Sequence, residues 1–139
     1  GIKSMGKNEN LADVLSEVYH ALSASRRCHV IQLLAGSRDG NLPLRELARE
    51  IAAIEKDISP DHATGEPYRN VYNALSQTHL STLSDADIII YDSNRQTVAA
   101  GPNLELAALL IVLNQAAYQT LQGDSLPDMG DFDGPSTGD

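Results

Sequence analysis

The stretch Tyr68-Arg69-Asn70-Val71-Tyr72-Asn73-Ala74-Leu75-Ser76-Gln77-Thr78-His79-Leu80-Ser81-Thr82-Leu83, running straight on into Ser84-Asp85-Ala86-Asp87-Ile88-Ile89-Ile90-Tyr91, decides how this chain folds. Val71, Ala74, Leu75, Leu80 and Leu83 return at helical spacing, which predicts a helix from Tyr68 to Ser84 or Asp85 with those residues facing inward. Ile88 to Tyr91 is β-branched and strand-like. Asp92-Ser93-Asn94-Arg95 reads as a turn, and Gln96 to Ala100 as a returning strand that Gly101-Pro102 ends. A helix therefore feeds a two-stranded hairpin with almost no linker.

Working outward, Leu44, Leu47, Ala48, Ile51 and Ala52 predict an amphipathic helix to about Glu55, joined to the first by a loop over Lys56 to Pro67 that holds Pro60 and Gly65. Leu42-Pro43-Leu44 can add a small edge strand. Further upstream, Asn10 caps a helix marked by Leu11, Val14, Leu15, Val18 and Leu22; Ser23 and Ser25 offer a stop and a new cap. The next helix, Arg26 to Ala35, buries Val30, Ile31, Leu33 and Leu34 and closes at Gly36. Downstream, Asn103 caps a last helix, Leu104 to about Leu121. The expected fold is mainly α (α+β): a winged helix-turn-helix with a two-stranded wing and a long C-terminal dimerisation helix. The expected organisation is a tag remnant and flexible segment over 1–10, the winged-helix domain over 11–101, the dimerisation helix over 102–122 and a disordered acidic tail over 123–139.

Composition narrows the function. Apolar residues make up 42%, enough for a globular core, which with one Phe and no Trp must be aliphatic. A single cysteine, Cys28, forms no internal disulfide and fits a reducing cytoplasm. The apolar stretch Leu104 to Leu113 reads as too short for a bilayer, and no signal peptide precedes Leu11, so no membrane partner and a cytoplasmic location are expected. His20, His29, His62 and His79 have no ligand spacing, and no phosphate loop, nucleophile elbow or carboxylate pair occurs. The expectation is therefore no metal, no cofactor and no enzyme activity. The net charge of −9 argues against nucleic acid at first sight. Yet Asp124, Asp128, Asp131, Asp133 and Asp139 cluster at the end, and Lys3, Lys7 and Lys56 are the only lysines. Such a composition resembles that of proteins from extreme halophiles, where DNA-binding proteins too are acidic.

The run Leu22-Ser23-Ala24-Ser25-Arg26-Arg27, then Glu46-Leu47-Ala48, then Tyr72-x-x-Leu75-x-x-Thr78-His79-Leu80-x-x-Leu83-x-x-Ala86-x-Ile88-Ile89 and Tyr91-Asp92, resembles haloarchaeal winged-helix regulators. It is similar to PadR-, MarR- and ArsR-like dimeric repressors and to oxidative-stress regulators of halophilic archaea. The resemblance covers about Leu11 to Leu121. One departure is Asp87, where that family usually carries Gly.

The resemblance implies that the helix from Tyr68 enters the major groove and reads bases with Arg69, Asn70, Asn73, Ser76 and Gln77, through Arg to guanine and Asn or Gln to adenine. Asn94, Arg95 and Gln96 form the wing, with Arg95 in the minor groove. Arg26, Arg27, Arg45 and Arg49 are candidate phosphate contacts. Leu106, Leu109, Leu110, Leu113 and Ala117 pair the last helix with its mate. The residues themselves add that Tyr68 to Ser84 carries one formal charge, Arg69, whereas an ordinary exposed helix favours Glu and Lys. Ordinary DNA binding with six to ten phosphate contacts loses about 10³–10⁵ in affinity between 50 and 200 mM salt. At molar salt the expectation is few phosphate contacts, with K⁺, Mn²⁺ or Mg²⁺ shared between DNA phosphates and Asp57, Asp61 or Glu66. The competing expectation is an acidic winged-helix module that binds protein. Cys28 reads as a small buried residue, with a redox-sensing thiol near Arg26 and Arg27 as the alternative, and His79 as packed between helix and wing.

Overall fold

A computed structural model describes residues 10–123, so the expected tag remnant and nearly all of the acidic tail lie outside the described residues. The chain divides into two compact units, one up to Ala108 and one from Leu109. The division falls inside the last helix.

The first unit is mainly helical, with one small antiparallel sheet. Helix α1 (Leu11–Ala21) starts where the Asn10 side chain accepts the Asp13 amide at 2.9 Å. Helix α2 (Ser25–Ala35) follows, then strand β1 (Asn41–Pro43) and helix α3 (Leu44–Lys56). A short 3₁₀ turn at Pro60–His62 leads to α4 (Gly65–Ala74), a π-helical turn (Leu75–His79) and α5 (Leu80–Asp85). Strands β2 (Ile89–Asp92) and β3 (Thr97–Ala100) form the hairpin, and α6 (Leu104–Leu121) begins beyond it. The sheet order is β1-β3-β2, with Val98 opposite both Leu42 and Tyr91.

The core is aliphatic, as composition required. Ile31, Leu44, Leu47, Ile51, Leu75, Leu80, Leu83 and Ile88 are all fully buried, and Val98 joins them from the sheet. Burying each such side chain contributes roughly 1.5–3 kcal/mol. Leu33, expected inside, is half-exposed because the inward stripe of α2 runs through Val30, Ile31 and Leu34.

Several local expectations change. Helix α2 starts at Ser25, its N-cap position is Ala24, and no side chain caps it. Ser23 instead donates to the His20 carbonyl at 2.6 Å. The loop after α3 is shorter than expected, since α4 starts at Gly65, with Pro67 in its first turn, where a missing N–H costs nothing. Asn103 precedes α6, its carbonyl accepting the Ala107 amide at 3.0 Å, and its side-chain amide donates to the Ala86 carbonyl at 3.0 Å, tying the start of α6 to the end of α5.

That end of α5 explains the unusual Asp87. The Ile88 amide donates back to the Leu83 carbonyl and the Asp87 amide to Ser84, both at 3.0 Å, closing the helix in a Schellman motif. The motif needs a left-handed residue, and Asp87 supplies it at φ 60°. Asp tolerates this conformation better than most residues, although Gly tolerates it best. Gly101 is required for a different reason. A Cβ there would lie 2.7 Å from the Asp87 carbonyl oxygen, because the chain leaving β3 crosses directly over the start of β2.

In the second unit, the part of α6 from Leu109 onward leaves Leu109, Val112, Leu113, Tyr118 and Leu121 exposed, from 44% at Leu113 to 83% at Leu121. Counting only to Leu113 underestimated this segment. Ala116, Ala117, Tyr118 and Leu121 extend its apolar character past Asn114 and Gln115, and the helix of 18 residues with mean hydropathy 1.3 is long and apolar enough to cross a membrane by length and composition alone.

Candidate nucleic-acid interface

The exposed side of α4 gathers most of the residues expected to read bases. Arg69, Asn70, Asn73 and Gln77 are exposed, whereas Val71 and Leu75 on the opposite side are buried. Ser76 is half-buried and its hydroxyl donates to the Asn73 carbonyl at 3.3 Å, so it lies at the edge of this face. Tyr68 and Tyr72 pack one turn apart with their rings tilted by 47° and their centroids 5.8 Å from each other.

The hairpin stands beside this helix. Its turn is organised by Asp92, whose Oδ1 accepts the amides of Asn94 (3.0 Å) and Arg95 (3.1 Å). Asn94 and Arg95 are exposed at the tip, and the Arg95 guanidinium lies 4.0 Å from Asp92 with 82% of its side chain accessible. Gln96 differs from its two neighbours. It takes a left-handed conformation (φ 57°), its carbonyl accepts the Leu44 amide at 2.9 Å, and its side-chain oxygen accepts the Tyr72 hydroxyl. Gln96 is exposed like those neighbours, and it also clamps α3, α4 and the hairpin together. Tyr91 belongs to the same junction, where burial and the neighbouring Tyr72 push its hydroxyl pKa above the usual value. Sequence reading missed Tyr72; its polar tip at a position bordering the inward stripe was the available signal.

The four arginines expected on phosphates separate into two pairs. Arg45 is exposed and Arg49 half-buried, one turn apart on α3. Arg26 and Arg27 are occupied within the fold. Arg26 donates through Nε and Nη2 to both oxygens of Glu55, at 2.6 and 2.8 Å, and through Nη1 to Asn70 Oδ1 at 3.4 Å. The ion pair raises the Arg26 pKa and lowers that of Glu55, the hydrogen bond being the main cause in both.

Arg27 is 8% exposed and cannot serve as a phosphate contact. Its Nε donates to the Ala21 carbonyl at 2.7 Å, Nη2 to the His20 carbonyl (3.4 Å) and Ser23 Oγ (3.2 Å), and Nη1 meets His79 Nδ1 at 3.0 Å. The carbonyls of His20 and Ala21 belong to the last turn of α1, whose partial negative charge takes the place of a carboxylate. A guanidinium only donates, so His79 accepts through Nδ1 and is the neutral, Nε2-protonated tautomer. Burial first, then Arg27 and Arg26, hold the His79 pKa below its ordinary value. His79 therefore joins the helix to the α1–α2 corner, not to the hairpin as expected.

Cys28 is half-buried and donates to the Leu22 carbonyl at 3.3 Å. Burial raises its thiol pKa against the opposing effect of Arg27, which counts against the alternative of a redox-sensing thiol. Among the described residues there is no group of His, Cys, Asp and Glu arranged to hold a metal.

No curated protein and no solved structure matches the chain. A family model described as domain of unknown function (DUF7344) matches residues 19–99, which take in the end of α1, the arginine corner, α3 to α5 and the hairpin, and stop short of α6. The match spans more than half of the 139 residues, and the chain belongs to this family.

Proposed function

We propose that the chain is a homodimeric winged-helix transcription regulator, acting in the cytoplasm, that binds double-stranded DNA sequence-specifically on an inverted repeat at high salt. The observation that carries this reading is the exposed polar face of α4, which from Tyr68 onward bears Arg69 as its only formal charge, with Glu66 in the turn before it, beside an exposed hairpin tip with Arg95. The order α3, α4–α5, β2–β3 supports it, being that of a helix pair followed by a wing. Arg69, Asn70, Asn73 and Gln77 take the role of base readers, with Ser76 at the margin. Asn94 and Arg95 take that of the wing tip, and Arg45 and Arg49 that of phosphate contacts. With Arg26 and Arg27 engaged internally, few cations remain for phosphates, which suits binding that must survive molar salt. Cations such as K⁺, Mn²⁺ or Mg²⁺ bridge the acidic surface to the DNA.

The second copy is inferred from α6. Leu109 and Leu113, with Val112 and Tyr118, leave apolar surface that water penalises and a mate would cover. Leu106, Leu110 and Ala117 complete the proposed seam. The test is a gel shift against the protein's own promoter region at 1 to 2 M KCl, alongside sedimentation of the free protein. The expected results are a retained shift and a dimer; Leu109→Glu with Leu113→Glu yields monomers that lose the inverted repeat. A monomeric wild-type protein, or a steep affinity loss between 0.5 and 2 M KCl, contradicts the proposal.

The competing reading is a protein-interaction module, favoured by the net charge of −9 and by the internal use of two arginines. It predicts a stable dimer that shifts no duplex at any salt concentration.

A further inference from the structure

The candidate reading face is not uniform, because one of its residues is held by another side chain. Arg26, in the first turn of α2, is locked by a two-point ion pair with Glu55 at the end of α3. Both partners are sheltered, with a quarter or slightly more of each side chain accessible, so this planar fork is fixed more firmly than a surface pair. With Nε and Nη2 committed to Glu55, Nη1 is the remaining guanidinium nitrogen, and it reaches Asn70 Oδ1 at 3.4 Å.

A guanidinium has donors only, so the end of the Asn70 amide that faces it is the oxygen. The NH₂ group is then left for a partner outside the protein. This matters for recognition. An asparagine reads adenine by placing NH₂ against N7 and its oxygen against the N6 amino group, side by side on one base edge. An oxygen turned toward Arg26 cannot also lie on that edge. What remains is a pure donor, which suits guanine, with O6 and N7 both accepting, and thymine O4; adenine offers only N7, with its amino group alongside in opposition, and cytosine offers an amino group alone.

We propose that Arg26, positioned by Glu55, fixes the Asn70 amide as a donor-only reader and so makes it select a keto base, guanine or thymine, where adenine would otherwise be expected. The inference rests on the DNA-binding reading above and deepens it. Arg26 and Glu55 act as positioning residues and need not touch DNA.

The test is selection of bound fragments from a randomised duplex pool at molar KCl, with the full wild-type chain and the variants Asn70→Ala, Arg26→Met and Glu55→Gln. Asn70→Ala is expected to flatten one position in each half-site. At that position the wild type is expected to take guanine or thymine over adenine by about tenfold, and Arg26→Met to bring adenine to within about twofold while other positions keep their preferences. Glu55→Gln, which loosens the fork but keeps the guanidinium, covers the case in which the Met variant does not fold, and is expected to weaken the keto preference in the same direction. Wild-type preference for adenine at the Asn70-dependent position overturns the proposal, and so does a keto preference unchanged in the variants that fold. If no position responds to Asn70→Ala, this proposal falls while DNA binding stands. If the wild type enriches no duplex, both fall together.

Discussion

The two halves of the α4–α5 helix both bury an apolar side and differ in what holds their polar side. In the first half, Arg69, Asn70 and Asn73 stand exposed, and the side-chain links to other elements are the Arg26–Asn70 and Tyr72–Gln96 hydrogen bonds. In the second, Leu80 and Leu83 are fully buried, His79 is bound by the buried Arg27, and the end is closed by the Asp87 Schellman motif. The π-helical turn at Leu75–His79 is the joint. The difference teaches that anchoring and display are divided along one helix. Substitutions after the joint and at the buried Val71 are expected to act on stability, those at the exposed positions before it on what the surface recognises.

The sharpest way to break this division is Arg27→Met. It removes the donors that satisfy the Ala21 and His20 carbonyls and the link to His79, and it is expected to destabilise the fold by about 3 kcal/mol. Guanidinium unfolding at neutral pH measures it. A loss under about 1 kcal/mol would mean that water or local relaxation satisfies those carbonyls, so that Arg27 is no anchor.

Gly101→Ala tests the closure of the same half from the other side. Its new Cβ meets backbone, not a flexible side chain, at the Asp87 carbonyl and at Ile88. The chain must shift where β2 begins, at an expected cost of about 2 kcal/mol. Retention of the wild-type thermal midpoint would show that this crossing is looser than the described geometry.

A smaller effect is expected from pH. The His79 pKa is depressed in the folded state, by burial and by the two arginines, relative to an unfolded value near 6.5. Below that value the unfolded chain takes up a proton that the folded chain resists. The stabilising contribution of neutral His79 is therefore complete above about pH 6.5 and is lost as pH falls toward and through the folded pKa. The thermal midpoint should drop between pH 7.5 and 5.5, and His79→Gln should flatten that slope. The same slope in both proteins would remove His79 as its source.

The sequence made much of this division legible, and the reasons are physical. Helix and hairpin were readable because apolar spacing follows from which side is buried, and Val71, Leu75, Leu80, Leu83 and Ile88 are all inside. The joint was readable in principle as well. Leu75 and Leu80 are five residues apart, one more than an α-helical turn allows for the same side, and both are fully buried, which a π turn reconciles. The fates of Arg26 and Arg27 were not readable. Glu55 lies 29 residues from Arg26 and His79 lies 52 from Arg27, so local pattern could not tell an arginine free for a phosphate from one consumed inside. The second role of Gln96, as a clamp, was hidden for a similar reason, since only the approach of Tyr72 distinguishes it from the turn residues before it.

The smallest stability effect belongs to the first half of the helix and is the most informative about function. Arg69 and Asn73 are exposed, and among the described residues neither side chain makes a hydrogen bond or ion pair to another residue. Replacing both with Ala removes no buried contact, and alanine favours helix at least as well as either, so the unfolding free energy should stay within about 0.5 kcal/mol. Dimerisation should be unchanged. Under the proposed function the double variant loses sequence preference at the corresponding base pairs, worth roughly 1–3 kcal/mol for each good contact. A surface that serves only solubility would show neither loss. A variant that keeps its stability and its operator preference would leave the display half without the role assigned to it, whereas one that loses stability would show that anchoring extends past the joint.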